Sequence, residues 1–215
     1  MIKILRPFTA TGAVFFPIGK PPGGTCEFAS LQCKKYCYAA LPEYPDFDEE
    51  IRITESDKLE IYKLFMTAPD ITWLREEILR ELDGLQTPIL HWFGSGDCPT
   101  KDISRISDII DSLKYDNIIQ MGFTRNEALW EQHKAIFALS VDSEDQINGR
   151  AGLFSVADYK KGTSYMYNSN KPTRGGVCGP ELCLDRMEHQ LAHFINCRTC
   201  MRLKTGCFDF NRKVK

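Results

Sequence analysis

The sequence predicts an α/β protein built from parallel βαβ units and followed by a small cysteine-rich extension. Three observations carry this expectation. Between residues 88 and 157 short apolar runs alternate with helix-patterned segments, and those runs end in polar residues; cysteine, nine residues in all, gathers in two groups far apart in the chain. Alternation of this kind favours parallel pairing, because neighbouring parallel strands need a crossover between them. A chain of 215 residues, 43% hydrophobic and 26% charged, can bury a sizeable core and is too apolar for disorder.

Taken in order, Ile2–Leu5 and Ala13–Ile18 are short apolar stretches, the second rich in strand formers. Gly19-Lys-Pro-Pro-Gly-Gly24 closes them with residues that regular structure does not accommodate, so the first cysteines fall in a loop after a strand. Asp46 to Phe65 reads as a charged helix, and Asp70 caps a second helix that runs through Leu82 to a stop near Gly84. Pro88–Phe93 reads as a buried strand ending in Gly94-Ser-Gly-Asp97. From Thr100 a helix follows with Ile103, Ile106, Ile109, Ile110 and Leu113 on one face. Asn117–Phe123 is the next strand, then a helix around Glu127–Lys134, a strand at Ile136–Val141 and another at Gly152–Ala157. In such folds functional groups gather at the carboxyl ends of the strands. Residues 1–160 thus form the α/β unit, 161–177 a Gly-, Ser- and Asn-rich connector, and 178–215 the extension.

The balance of 27 basic against 29 acidic residues gives no global argument for nucleic acid or an anionic membrane. No run approaches the roughly 20 apolar residues a bilayer span needs. Arg6, Pro7 and Pro17 interrupt any signal-peptide core, so a cytoplasmic setting is expected. There thiols stay reduced, and an odd number of cysteines points to metal before disulfides.

Cys26, Cys33 and Cys37 share one short loop, with Lys34 and Lys35 beside them to offset thiolate charge. Three thiolates can hold three irons of a [4Fe–4S] cube and leave the fourth open to a ligand; zinc at this place requires a fourth ligand from elsewhere. Tyr36-Cys37 puts an aromatic directly before the last cysteine, and Gly94-Ser95-Gly96-Asp97 lies at the next strand end. In these features, over roughly residues 10–160, the chain resembles the radical S-adenosylmethionine superfamily. The layout is also similar to phage gene products with a comparable Lys-Tyr-Cys-Tyr-Ala stretch followed by a Ser-Gly-Asp strand end. The resemblance implies a partial (β/α) barrel of about six parallel strands. It also implies cleavage of S-adenosylmethionine to a 5′-deoxyadenosyl radical that abstracts hydrogen from a substrate, with a ferredoxin or flavodoxin as reductant. By the same resemblance Gly94, Ser95, Gly96 and Asp97 contact the methionine moiety, and Arg125 and Asp142 make polar contacts to the cofactor. Two departures stand out: the cysteine spacing is x6 and x3 where the superfamily has x3 and x2, and the glycine motif ends in Asp instead of Glu.

Cys98 follows that strand end, where its thiol would donate a hydrogen atom to a substrate radical, complete the first cluster, or simply cap the loop before Pro99. The second group is Cys178, Cys183, Cys197, Cys200 and Cys207. Four of them suit a structural zinc, and all five suit an auxiliary iron–sulfur cluster similar to the SPASM or twitch tails of radical enzymes. His189 and His193 share a face of a helix expected over about Pro180–Phe194 and serve as half-buried packing or as a replacement ligand. Six basic residues against Asp209 between Arg198 and Lys215 balance thiolate charge, with nucleic acid as the lesser reading. The rival to the enzyme is a non-enzymatic module, either an iron–sulfur electron carrier or a zinc ribbon docking on nucleic acid or protein.

Overall fold

In a computed structural model of the chain, the described residues are 3–8, 11–40, 53–83, 88–158, 163–169 and 173–174. Cys178, Cys183, Cys197, Cys200, Cys207, both expected ligand histidines and the basic tail lie outside them, as does the beginning of the helix expected from Asp46. The described strands form one eight-stranded sheet in strict chain order. They are β1 (Arg6–Phe8), β2 (Thr11–Phe15), β3 (Ile89–Ser95), β4 (Ile119–Thr124), β5 (Phe137–Val141), β6 (Leu153–Asp158), β7 (Thr163–Asn168) and β8 (Thr173–Arg174). Strands β2 through β6 are parallel, whereas β1, β7 and β8 pair antiparallel at the two margins. The protein is therefore α/β with five parallel strands where about six were expected. Residues 163–168, inside the stretch read as a connector, form β7 along the whole of β6. No helix among the described residues is long and apolar enough to cross a membrane.

The crossovers carry α1 (Leu31–Lys35), α2 (Glu55–Thr67) and α3 (Ile71–Asp83) between β2 and β3, then α4 (Ile103–Ser112) and α5 (Glu127–Gln132). Each longer helix starts where the sequence offers a cap. Thr54 and Asp57 form a reciprocal capping box on α2, and Asn126 Oδ1 accepts the Leu129 N–H at the start of α5. The isoleucine stripe of α4 buries Ile106, Ile109 and Ile110, each contributing about 1.5–3 kcal/mol relative to exposure. Its predicted beginning at Thr100 is a 3₁₀ turn, Thr100–Asp102, that leads into the α-helix.

β3 is buried along its whole length, as expected of a central strand covered on both faces. Trp92 packs edge-on against Phe65 of α2, with ring centroids 6.1 Å apart, and donates to Gln120 Oε1 at 3.0 Å. Phe93 has φ +57°, a left-handed conformation rare for a bulky residue. Here β2 and β3 slip register: Ala13 faces His91, but Phe15 faces Ser95. The bulge turns Phe93 to the same side as Trp92, where it meets Phe16 at 5.7 Å and stacks on Phe137 at 5.6 Å. It lies one residue before the strand end that carries the candidate site.

His91 points to the opposite face, edge-on to Phe123 at 6.0 Å, and is 6% exposed. Burial pushes its pKa down to about 4, so it folds neutral. A folded pKa below the usual value means the contribution is complete above about pH 6.5 and lost as pH falls through about 4. Between those pH values the wild type should lose about 3 kcal/mol more unfolding free energy than His91→Leu. Urea titrations at both pH values measure this, and parallel losses in the two proteins would refute it.

Candidate active site at the strand ends

Because β2 to β5 are parallel and sequential, their carboxyl ends lie along one edge of the sheet. The loop after β2 is tightly folded onto itself. Thr25 donates both its N–H and its hydroxyl to Pro17 O, at 3.0 and 2.9 Å, and Cys26 N donates to Gly19 O at 2.7 Å. A Cβ at Gly24 would stand 2.1 Å from Ile18 O, so this fold of the loop admits only glycine there. Beyond Cys26, Ser30 caps α1 by accepting the Cys33 N–H at 2.9 Å, and α1 buries none of its residues. The helix thus serves to carry Cys33 and the approach to Cys37.

Thr25 joins this loop to the end of β3, since its hydroxyl oxygen also accepts the Asp97 N–H at 3.0 Å. Asp97 is 6% exposed, and its carboxylate receives three donors. Oδ1 accepts from Thr124 Oγ1 at 2.6 Å and Cys98 N at 2.8 Å, and Oδ2 accepts from Arg125 N at 2.8 Å. Burial pushes its pKa up to about 6, against the opposing pull of those hydrogen bonds. Asp97 is thus a clasp joining the ends of β3 and β4 to the cysteine loop. Most of its roughly four acceptor positions are spent inside the protein.

The glycines beside it are also used internally. The space of a Cβ at Gly94 is taken by the Phe15 ring, 2.9 Å away. At Gly96, with φ +75°, a Cβ would meet Thr25 Oγ1 at 2.6 Å and Phe16 Cβ at 2.7 Å. Ser95 Oγ donates to Phe16 O at 2.8 Å. The motif read as a cofactor cradle therefore seats β3 against β2 and the cysteine loop. Gly96→Ala should cost about 3 kcal/mol from left-handed strain plus overpacking, read from the urea midpoint; a loss below about 1 kcal/mol would show that the loop yields easily.

The three loop thiols feel one another's charge. Burial, then the Asp97 carboxylate, pushes Cys26 up to about 12, with smaller contributions from Cys37 and Cys33. Burial likewise raises Cys33, against the Arg125 guanidinium, which both attracts its thiolate and hydrogen-bonds it. Arg125 in turn pairs with Asp142 at the end of β5, Nη2 to Oδ1 at 2.7 Å. The structure therefore gathers Cys26, Cys33, Cys37, Asp97, Arg125 and Asp142 from four strand ends. Among the described residues, no three His, Cys, Asp or Glu side chains form a group able to hold a single metal ion. One tetrahedral zinc draws its sulfurs to within about 3.8 Å of each other, whereas a cube spreads them over separate irons. The donor set, three thiols on one loop beside a cation, fits the cluster better than the ion.

Cys98 stands apart from this group. Its thiol is buried in the hydrophobic core, 3.5 Å from Pro99 O, and burial followed by Asp97, Asp102 and Glu27 raises its pKa. That is the environment of a loop-capping thiol. Residues that the sequence reading left without a role include Thr25, Thr124 and Asn126, whose Nδ2 donates to Cys98 O at 2.8 Å. Their signal was the polar Thr124-Arg-Asn126 strand end, and for Thr25 its place directly before Cys26. No protein-family model, curated protein or solved structure matches this chain.

Proposed function

We propose that this chain is an iron–sulfur enzyme of the radical S-adenosylmethionine type built on a partial (β/α) barrel. The observation that carries this reading is the convergence of Cys26, Cys33 and Cys37, on the loop after the first parallel strand, with Arg125 and Asp142 from later strand ends. Sequential parallel order supports the barrel, because right-handed crossovers between successive neighbours all fall on one face. In this reading Cys26, Cys33 and Cys37 would hold three irons of a [4Fe–4S] cube and leave the fourth for the cofactor. When bound, the cube and S-adenosylmethionine supply reductive cleavage to methionine and a 5′-deoxyadenosyl radical for hydrogen abstraction, with the electron coming from a ferredoxin or flavodoxin. This chain's own part is placement: Asp97 and Thr25 lock the loop to the strand ends, burial around Cys26 keeps water out, and Arg125 balances thiolate charge. The C-terminal cysteines would hold a second cluster, with zinc as the alternative there.

Anaerobically purified protein should be brown, with equal iron and sulfide. Adding S-adenosylmethionine to the reduced protein should alter its electron paramagnetic resonance signal and slowly yield 5′-deoxyadenosine. Colourless, zinc-only protein would end the cluster reading. A brown protein whose reduced signal ignores the cofactor would be an electron carrier.

A further inference from the structure

Resting on the cluster reading above, we propose that Arg125 and Asp142 are a redox-tuning pair for the first cluster, Arg125 raising its reduction potential through Cys33 and Asp142 restraining that effect. This differs from a contact to the cofactor's carboxylate, which is what position alone would suggest for an arginine at this strand end.

The geometry fixes both residues before any ligand arrives. The Arg125 backbone N–H is bonded to the buried Asp97 carboxylate at 2.8 Å, which sets where its side chain begins. Its guanidinium is bonded to Asp142 at 2.7 Å, and the Asp142 N–H is itself bonded to Gln146 Oε1 at 2.7 Å. The two side chains are only 16% and 20% exposed, so water screens the pair weakly. Between these anchors the guanidinium also hydrogen-bonds the Cys33 sulfur. Arg125 is the largest charge acting on that thiol, and Asp142 acts on it with opposite sign.

The electrical consequence follows from charge. One electron passes from an external one-electron donor, of the ferredoxin or flavodoxin class, to the cluster; the donor is oxidised, and no bond forms or breaks at Cys33. The reduced cluster and its thiolates are more negative by one charge, so a cation and a hydrogen bond at a ligating sulfur favour the reduced form. A carboxylate next to that cation offsets part of the gain.

The test is a potentiometric titration of the full chain, anaerobic and without S-adenosylmethionine, followed by electron paramagnetic resonance with dithionite as reductant. It compares the wild type with Arg125→Ala, Arg125→Lys and Asp142→Asn. All four retain the backbone N–H that binds Asp97, and iron per chain verifies loading. Arg125→Ala should lower the reduced-to-oxidised ratio at fixed potential at least tenfold, about 59 mV for one electron. Asp142→Asn should raise it severalfold, and Arg125→Lys should fall between alanine and wild type. If the alanine variant sheds its iron, the lysine and asparagine variants decide by their opposite signs. Shifts below twofold, or of one sign for both residues, in loaded protein overturn the tuning pair while leaving the cluster standing. An unmoved potential with weakened cofactor binding likewise overturns it and returns Arg125 to the carboxylate role. A wild type that binds no iron removes the cluster and this inference together.

Discussion

Asp97→Ala should lower the unfolding free energy by about 3 kcal/mol near pH 7.5, more than its single-side-chain size suggests. It strands three donors, the Thr124 hydroxyl and the Cys98 and Arg125 N–H groups, and an unsatisfied buried donor costs about 1–3 kcal/mol. The cost of burying the charge, visible in the pKa pushed up to about 6, offsets part of this. That offset makes the penalty depend on pH. A carboxyl whose folded pKa is raised contributes fully below its unfolded value and loses that contribution as pH rises through the folded one. The alanine penalty should therefore be about 2 kcal/mol larger at pH 4.5 than at pH 7.5. Urea unfolding at the two pH values tests both sign and size; a penalty larger at pH 7.5 would mean that the clasp works as an ion pair instead.

Cys33→Ser and Cys37→Ser should each abolish the iron of the first site and all cofactor cleavage, yet leave the metal-free fold within about 1 kcal/mol of the wild type. The reason for the second half is local. α1 buries no residue, both thiols are only partly buried, and the loop's anchors are Thr25, Gly24 and the Cys26 backbone N–H. Surface substitutions away from packed features fall in that small range. Iron and sulfide assays on anaerobic protein give the first half, and urea unfolding of chelated protein gives the second. Retained iron in both variants would remove these thiols from the ligand set. Collapse of the metal-free fold would instead assign them a packing role.

Residues 88–157 were legible because each strand there is an apolar run closed by a polar end, and each helix has a stripe or a cap. β7 was not, since Thr163-Ser-Tyr-Met-Tyr-Asn168 sits among Gly, Lys and Asn residues that read as loop. Its pairing with β6 supplies an order that its own composition only half suggests. The bulge at Phe93 was hidden for a different reason. His91-Trp-Phe-Gly-Ser95 is compatible with plain alternation, and only the slipped register against β2 turns two successive aromatics to one side. The candidate site was legible as positions and not as roles. Asp97 and Arg125 stand at strand ends, as expected. That the first is consumed by Thr124, Cys98 and Arg125 depends on which strands become neighbours, and no local pattern records that.

The taper of the sheet has a consequence for handling the protein without its metal. β3 has seven residues, but the marginal strands β1 and β8 have three and two. An exposed strand edge is a template on which other chains polymerise, and short edges, proline and charge all blunt it. β1 reads Arg-Pro-Phe, so one of its three residues has no N–H to offer, and β8 carries an arginine. The long parallel ladders β2 to β6 are thus enclosed on both sides by strands too short to recruit another chain. Stripping and reloading the metal at high concentration should then be limited by thiol oxidation and not by sheet-to-sheet aggregation.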